Sequence, residues 1–286
     1  MRRIPKVCYF YWGGKVMPYL RYMSMTTFKK YNPEWKVVVF TPVQLTTSQS
    51  WTTFENKEEL NTKDYMPELQ KAGVIVSPFD MQGIGFTNDL PEVLKSDILR
   101  MFLLSKFGGL WCDDDILFFR PLTHSLEPTD CSVYFCFRRG GPTQDDTPKN
   151  GPRYHSIGFL AGEPGNKHFS KLFDGVCNVF NPTQYQSAGS PYYKTVYSEL
   201  NMNSCPDVYN IDVNTVYPTR AALSIFTLPA GHFMNEVLTP KCIGIHWYGG
   251  APASGQYQNL VTRETYNQYD NIVCWLLRKI NEGVQV

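Results

Sequence analysis

Apolar residues first gather at Val7–Trp12, a continuous run of strand length that opens into a Gly13-Gly14 turn. Pro18 to Tyr31 reads as a helix, closed at Asn32-Pro33, where proline removes the donor a further turn would need. Val37–Phe40 is a β-branched run, a second strand, stopped by Thr41-Pro42. The stretch from Asn56 to Lys71 predicts mostly helix, interrupted at Pro67, and Val74–Val76 a third strand ended by Ser77-Pro78. Pro91 suits the start of a helix that runs to Phe107, with Gly108 as its stop. Leu110–Cys112 is a fourth strand, and it runs straight into Asp113, Asp114 and Asp115.

Strands alternating with helices predict an α/β fold, a mostly parallel sheet with helices on both faces. Ligands of such sheets sit at the carboxyl ends of the strands. The Tyr11-Trp12-Gly13-Gly14 turn and the aspartate cluster both fall at such ends, so two segments distant in sequence are expected to meet at one site. Beyond residue 120 the pattern weakens. Residues 138–152, rich in Gly, Pro, Asp and Asn, read as a long loop that includes Asp145 and Asp146. Ile157–Ala161 reads as a strand and Lys167–Phe180 as a helix, and short strands are expected between Asn181 and Pro240. Ile243–Trp247 reads as a strand before a Gly249-Gly250 turn, and Tyr266–Ile280 as a helix apolar on one side. No linker divides the 286 residues, and the expectation is one domain, with 1–122 as one half of the site and 123–286 as the other.

Hydrophobic residues make up 43% and charged residues 19%, which excludes a disordered chain. The net charge of +1 and the shortness of the Arg138-Arg139 cluster argue against nucleic acid as a partner. No apolar stretch approaches the roughly 20 residues that span a bilayer, which leaves at most peripheral membrane contact. The eight cysteines show no CxxC pair and read as reduced thiols, so a cytoplasmic location is expected.

Three adjacent carboxylates at the end of an apolar strand repel one another and call for a countercharge. A divalent cation supplies it, because hard cations take oxygen ligands and keep positions open for phosphate oxygens. On an extended chain Asp113 and Asp115 share a side while Asp114 points away. This makes Asp115 the direct ligand, with Asp113 holding a ribose or reaching the metal through water. Asp97 and Arg100 share a face of the preceding helix, either as a plain ion pair or as a grip on sugar hydroxyls.

The run SDILRMFLLSKFGGLWCDDDILFFRPL resembles the signature of DxD-motif glycosyltransferases of the GT-A (Rossmann-like) fold. It is most similar to the family related to yeast initiating mannosyltransferases and to capsular and toxin glycosyltransferases. Trp111 stands where that signature usually has tyrosine. IPKVCYFYWGGKVMP and FKKYNPEWKVVVF resemble the same family's opening segments, and IGIHWYGG its late His-Trp segment. The resemblance implies an enzyme that moves a hexose from a nucleotide-sugar donor, UDP-linked in preference to GDP-linked, to a glycan or glycoconjugate hydroxyl with Mn2+ or Mg2+ and with retention. It implies that Tyr11, Trp12 and Gly13 contact the base and that Asp97, Arg100 and Asp114 belong to the catalytic set. It further implies that Asp113, Asp115 and His246 hold the metal, and that Trp247 and Gly249 lie against the donor. The small residues after Gly249 are expected to close as a lid that keeps water from the donor. Two other classes compete: a metal-dependent phosphoryl or nucleotidyl transferase, which would call for a phosphate-cradling glycine loop absent here, and a non-catalytic carbohydrate-binding protein.

Overall fold

The computed structural model describes residues 4–46, 62–122, 133–138, 154–198, 205–219 and 223–286. Strands β1 (Val7–Tyr11), β2 (Lys36–Pro42), β3 (Ile75–Phe79) and β4 (Gly109–Cys112) are joined through helices α1 (Tyr19–Tyr31), α2 (Met66–Lys71) and α3 (Glu92–Lys106). These four strands pair in parallel in the order β3-β2-β1-β4. The sheet then continues through β7 (Tyr154–Gly162), β6 (Val133–Arg138) and β8 (Val208–Asn210) to seven strands, with β7 antiparallel to both its neighbours. This is the mostly parallel, helix-flanked α/β sheet that the alternation predicts, and its strands come from both halves of the chain.

Alternation along β1 divides the core. Cys8 and Phe10 face one apolar cluster with α1 and α10 (Ile272–Glu282), while Tyr9 and Tyr11 face another with α3, α4 (Lys167–Val176) and α5 (Ser190–Ser198). Gly108 and Gly109 link α3 to β4 at φ +63° and +108°, and a Cβ on Gly109 would lie 2.7 Å from the Val7 carbonyl. Only glycine lets β4 start in register beside β1.

Several expectations change. Of the helix expected over 56–71, residues 56–61 lie outside the described residues, 62–65 are not helical, and the helix is Met66–Lys71 with Pro67 in its first turn, where a missing N–H costs nothing. The 243–247 segment is a strand, β9 (Gly244–His246), but it pairs antiparallel with β5 (Ile116–Phe118) in a separate two-stranded sheet. Between Asn181 and Pro240 the described chain holds one strand, β8, three α-helices, α5, α6 (Ser224–Thr227) and α7 (Met234–Val237), and two 3-10 turns, because buried tyrosines and phenylalanines there pack as helical turns. Asp145 and Asp146 lie outside the described residues.

Candidate active site

The carboxyl ends of β1 and β4 and a polar row of α3 enclose one cleft. Glu92, Ser96 and Arg100, one helical turn apart, line it opposite Trp12, Gly13 and the three aspartates. Helix α3 is therefore apolar where it meets the sheet, through Leu94, Ile98, Leu99 and Met101, and polar but buried along the cleft.

The aspartates divide as alternation predicts, although they sit in a turn and not on an extended strand. Asp113 and Asp115 converge with His246, and one donor atom from each lies within 4.8 Å of the others. Asp115 Oδ1 lies 3.0 Å from His246 Nε2, and its Oδ2 accepts the Gly249 backbone N–H at 2.7 Å. Burial pushes the Asp115 carboxyl up, but His246, Arg21 and the Gly249 N–H outweigh it and hold it well below the carboxylate range. Burial likewise disfavours the His246 imidazolium, and Asp115 and Asp113 reverse this and raise its proton affinity. Two carboxylates and an imidazole within such a span are the donor set that Mn2+ or Mg2+ would accept, and a protonated His246 is the countercharge the acids use without one.

Asp113 is fixed from three sides. Trp111 donates its indole N–H to Oδ1 at 2.9 Å, and Arg100 Nη1 reaches the same oxygen at 3.2 Å. From strand β7, the Gly158 carbonyl accepts the Asp113 backbone N–H at 2.7 Å. Arg100 also pairs with Asp97 at 2.9 Å, donates to the Ile157 carbonyl at 2.6 Å, and lies 4.8 Å over the Trp111 ring. The tryptophan in place of tyrosine thus carries an N–H that the carboxylate uses. Burial lifts the Asp97 carboxyl to about 7 against the pull of Arg100.

Asp114 turns to the other side, into an ion pair with Arg21 of α1. Burial lifts it too, to about 7, with Arg21 opposing. The Arg21 guanidinium is held between Trp12 and Trp247, at 5.5 and 4.7 Å from their ring centroids, and donates to Gln258 at 2.9 Å. A Cβ on Gly249 would sit 2.4 Å from its Nη2, so that glycine makes room for the arginine. Trp247 is fully buried beneath Arg21 and does not line the cleft, and Gly249 acts on Asp115. The segment expected as a lid forms two short helices, α8 (Pro252–Gly255) and α9 (Tyr257–Leu260), tied to Arg21 through Gln258. Tyr11 is engaged by Glu92, and Trp12 and Gly13 line the cleft beside it.

Sequence reasoning missed Arg21, Gly158, Glu92 and Lys95. The signal for Arg21 was a lone cation among Leu20, Met23 and Ser24 on the buried face of a helix. Gly158 left no signal, because only the packing of β7 on β4 shows what a side chain there would strike.

The site is thus a carboxylate–imidazole cluster at the strand tips of an α/β sheet. Residues 20–133 match the family described as glycosyltransferase sugar-binding region containing DXD motif, and residues 81–193 match capsular polysaccharide synthesis protein. Each of these matches spans less than half of the chain. No curated protein matches it significantly. Among solved structures it is similar to the PaToxG glycosyltransferase, at 17% identity and a TM-score of 0.49, over 69% of this chain and 70% of that one. It is similar to the galactosyltransferase LgtC in complex with donor and acceptor sugar analogues, at 14% identity and a TM-score of 0.47, over 87% and 88%. The apo glycosyltransferase GlyE of Streptococcus pneumoniae gives 12% identity and a TM-score of 0.47, over 99% and 64%.

Proposed function

We propose that this chain is a metal-dependent glycosyltransferase that moves a hexose from a UDP-sugar to a hydroxyl of a glycan or glycoconjugate. The observation that carries the reading is the convergence of Asp113, Asp115 and His246 within 4.8 Å at the floor of the cleft. Asp113, Asp115 and His246 would hold Mn2+ or Mg2+, which when bound offsets the charge that develops on the diphosphate leaving group. Arg100 and Trp111 keep Asp113 in place, and Asp97, buried with one oxygen on Arg100 and the other without a hydrogen-bond partner among the described residues, would accept from a sugar hydroxyl. Asp114 is bound to Arg21, which suits it to positioning the aspartate turn. Retention is the stereochemistry that the resemblance implies, and the anomeric proton of the product, read by NMR, tests it. Reduced cysteines are consistent with work in the cytoplasm; among the described residues no helix is long and apolar enough to cross a membrane.

The test is thermal stabilisation by a panel of nucleotide sugars, each with and without Mn2+. A donor at 100 times its Kd stabilises by about 2.7 kcal/mol, and it is expected to do so only with metal. Asp115→Ala abolishes that increment. Equal stabilisation with and without metal, or in the alanine variant, would refute the reading.

A further inference from the structure

A polar feature of the cleft that the metal cluster does not use is the first turn of α3. We infer that Glu92 reads the nucleobase of the donor and selects uracil through its ring N–H. This rests on the nucleotide-sugar reading and adds the residue that chooses the base.

Glu92 lines the same cleft as Arg100, eight residues along α3, or about 12 Å at helical rise. Arg100 touches Asp113, so that distance leaves room for a ribose and phosphate between the carboxylate cluster and Glu92. The glutamate is 3% exposed, and its two oxygens differ. Oε1 is filled: it accepts the Thr46 backbone N–H at 2.9 Å and the Lys95 ammonium at 2.7 Å. Lys95 is wholly buried, and among the described residues its other partner is the Gln44 carbonyl at 2.9 Å, so it is the counterion of this carboxylate. Among the described residues Oε2 accepts only the Tyr11 hydroxyl and keeps a second lone pair. It faces Gly13, where a Cβ would lie 2.6 Å away, so the bare backbone of the turn leaves that oxygen open to the cleft.

One open carboxylate oxygen demands a single N–H from a planar ring. Uracil supplies one, flanked by carbonyls. Cytosine and adenine present a lone pair at the equivalent ring nitrogen and are repelled. Guanine presents a ring N–H beside an exocyclic amine and needs two acceptors side by side, but Oε1 is already occupied.

Titration calorimetry of UDP, CDP, GDP and ADP, each with Mn2+, tests this on the full chain. UDP is expected to bind at least about tenfold more tightly than the other three, the scale of one hydrogen bond to a charged group. Glu92→Gln, made together with Lys95→Met so that no unpaired cation is buried, is expected to erase the UDP preference and leave Mn2+ affinity without nucleotide unchanged. Gly13→Ala, whose methyl group would fall 2.6 Å from Oε2 and 2.7 Å from Cβ and Cγ of Glu92 and so push that side chain out of place, is expected to erase the UDP preference as well should the first variant fail to fold. A UDP-to-CDP ratio unchanged in the variants, or GDP bound as tightly as UDP by the parent, overturns the role of Glu92 while the nucleotide-sugar reading stands. A parent protein that binds none of the four with Mn2+ overturns that reading and this inference with it.

Discussion

Replacing Gly158 with alanine should damage the carboxylate cluster from beneath. The new methyl carbon would lie 2.4 Å from Asp113 Oδ2 and 2.6 Å from the Tyr217 hydroxyl, where ordinary contact begins at 3.4 Å. One partner must retreat by about 1 Å, and strand β7 is poorly placed to do so. Its Gly158 carbonyl bonds the Asp113 N–H at 2.7 Å, and its Ile157 carbonyl anchors Arg100 at 2.6 Å. The carboxylate therefore moves, and with it the Oδ1 bonds to Trp111 and Arg100 lengthen or break. Overpacking of this kind costs about 1–3 kcal/mol in stability. A shift of about 1 Å exceeds the roughly 0.2 Å tolerance of a metal ligand and costs about 100-fold in rate where a reacting group is misplaced as far. Urea denaturation, Mn2+ titration and steady-state transfer measured on Gly158→Ala read the three effects separately. Gly231→Ala is the control, since a Cβ there meets nothing within 4 Å. A Gly158→Ala enzyme with parental Mn2+ affinity and rate would show that Asp113 is free to move, and the geometric argument for the site would fail.

Arg21→Met should lower stability by about 3–5 kcal/mol, because it leaves Asp114 buried without its cation. A loss below about 1 kcal/mol by urea denaturation would show that the pair is dispensable. Asp97 should make stability fall as pH rises from about 4 to about 7, since its folded value of about 7 exceeds the ordinary 3.8 and the folded state holds the extra proton in that window. Unfolding free energies across the window should therefore slope less in Asp97→Asn, and parallel profiles would refute the assignment. Trp111→Phe keeps an aromatic ring but removes the N–H on Asp113, and transfer is expected to slow by about tenfold, the scale of one hydrogen bond to a charged group. An unchanged kcat would show that Arg100 alone holds the carboxylate.

The periodicity of residues 7–112 was legible because β1, β2 and β4 are apolar runs ended by glycine, proline or aspartate, with helices between the strands. Local chemistry of that kind locates β1, α1, β2, α3 and β4 to within a residue or two. The second half resisted. Strands β6, β7 and β8 find their places by pairing across the sheet, and the aromatic residues between Asn181 and Pro240 fit a helix and a strand equally well by pattern. The ending of β9 shows the same limit. Its apolar run announces a strand, but its partner, β5, is a three-residue segment just past the aspartates that carries no periodicity of its own.

The sequence by itself determined the parallel α/β half, the carboxylates at a strand tip and the helical pairing of Asp97 with Arg100, because these depend on residues close together along the chain. Which acid meets His246 and which meets Arg21, why Gly158 must lack a side chain, and how Lys95 comes to hold Glu92 against the first turn were decided only by tertiary structure. Each of those contacts joins groups from separate elements whose approach is set by packing. Their energies turn on burial, which a one-dimensional pattern does not encode.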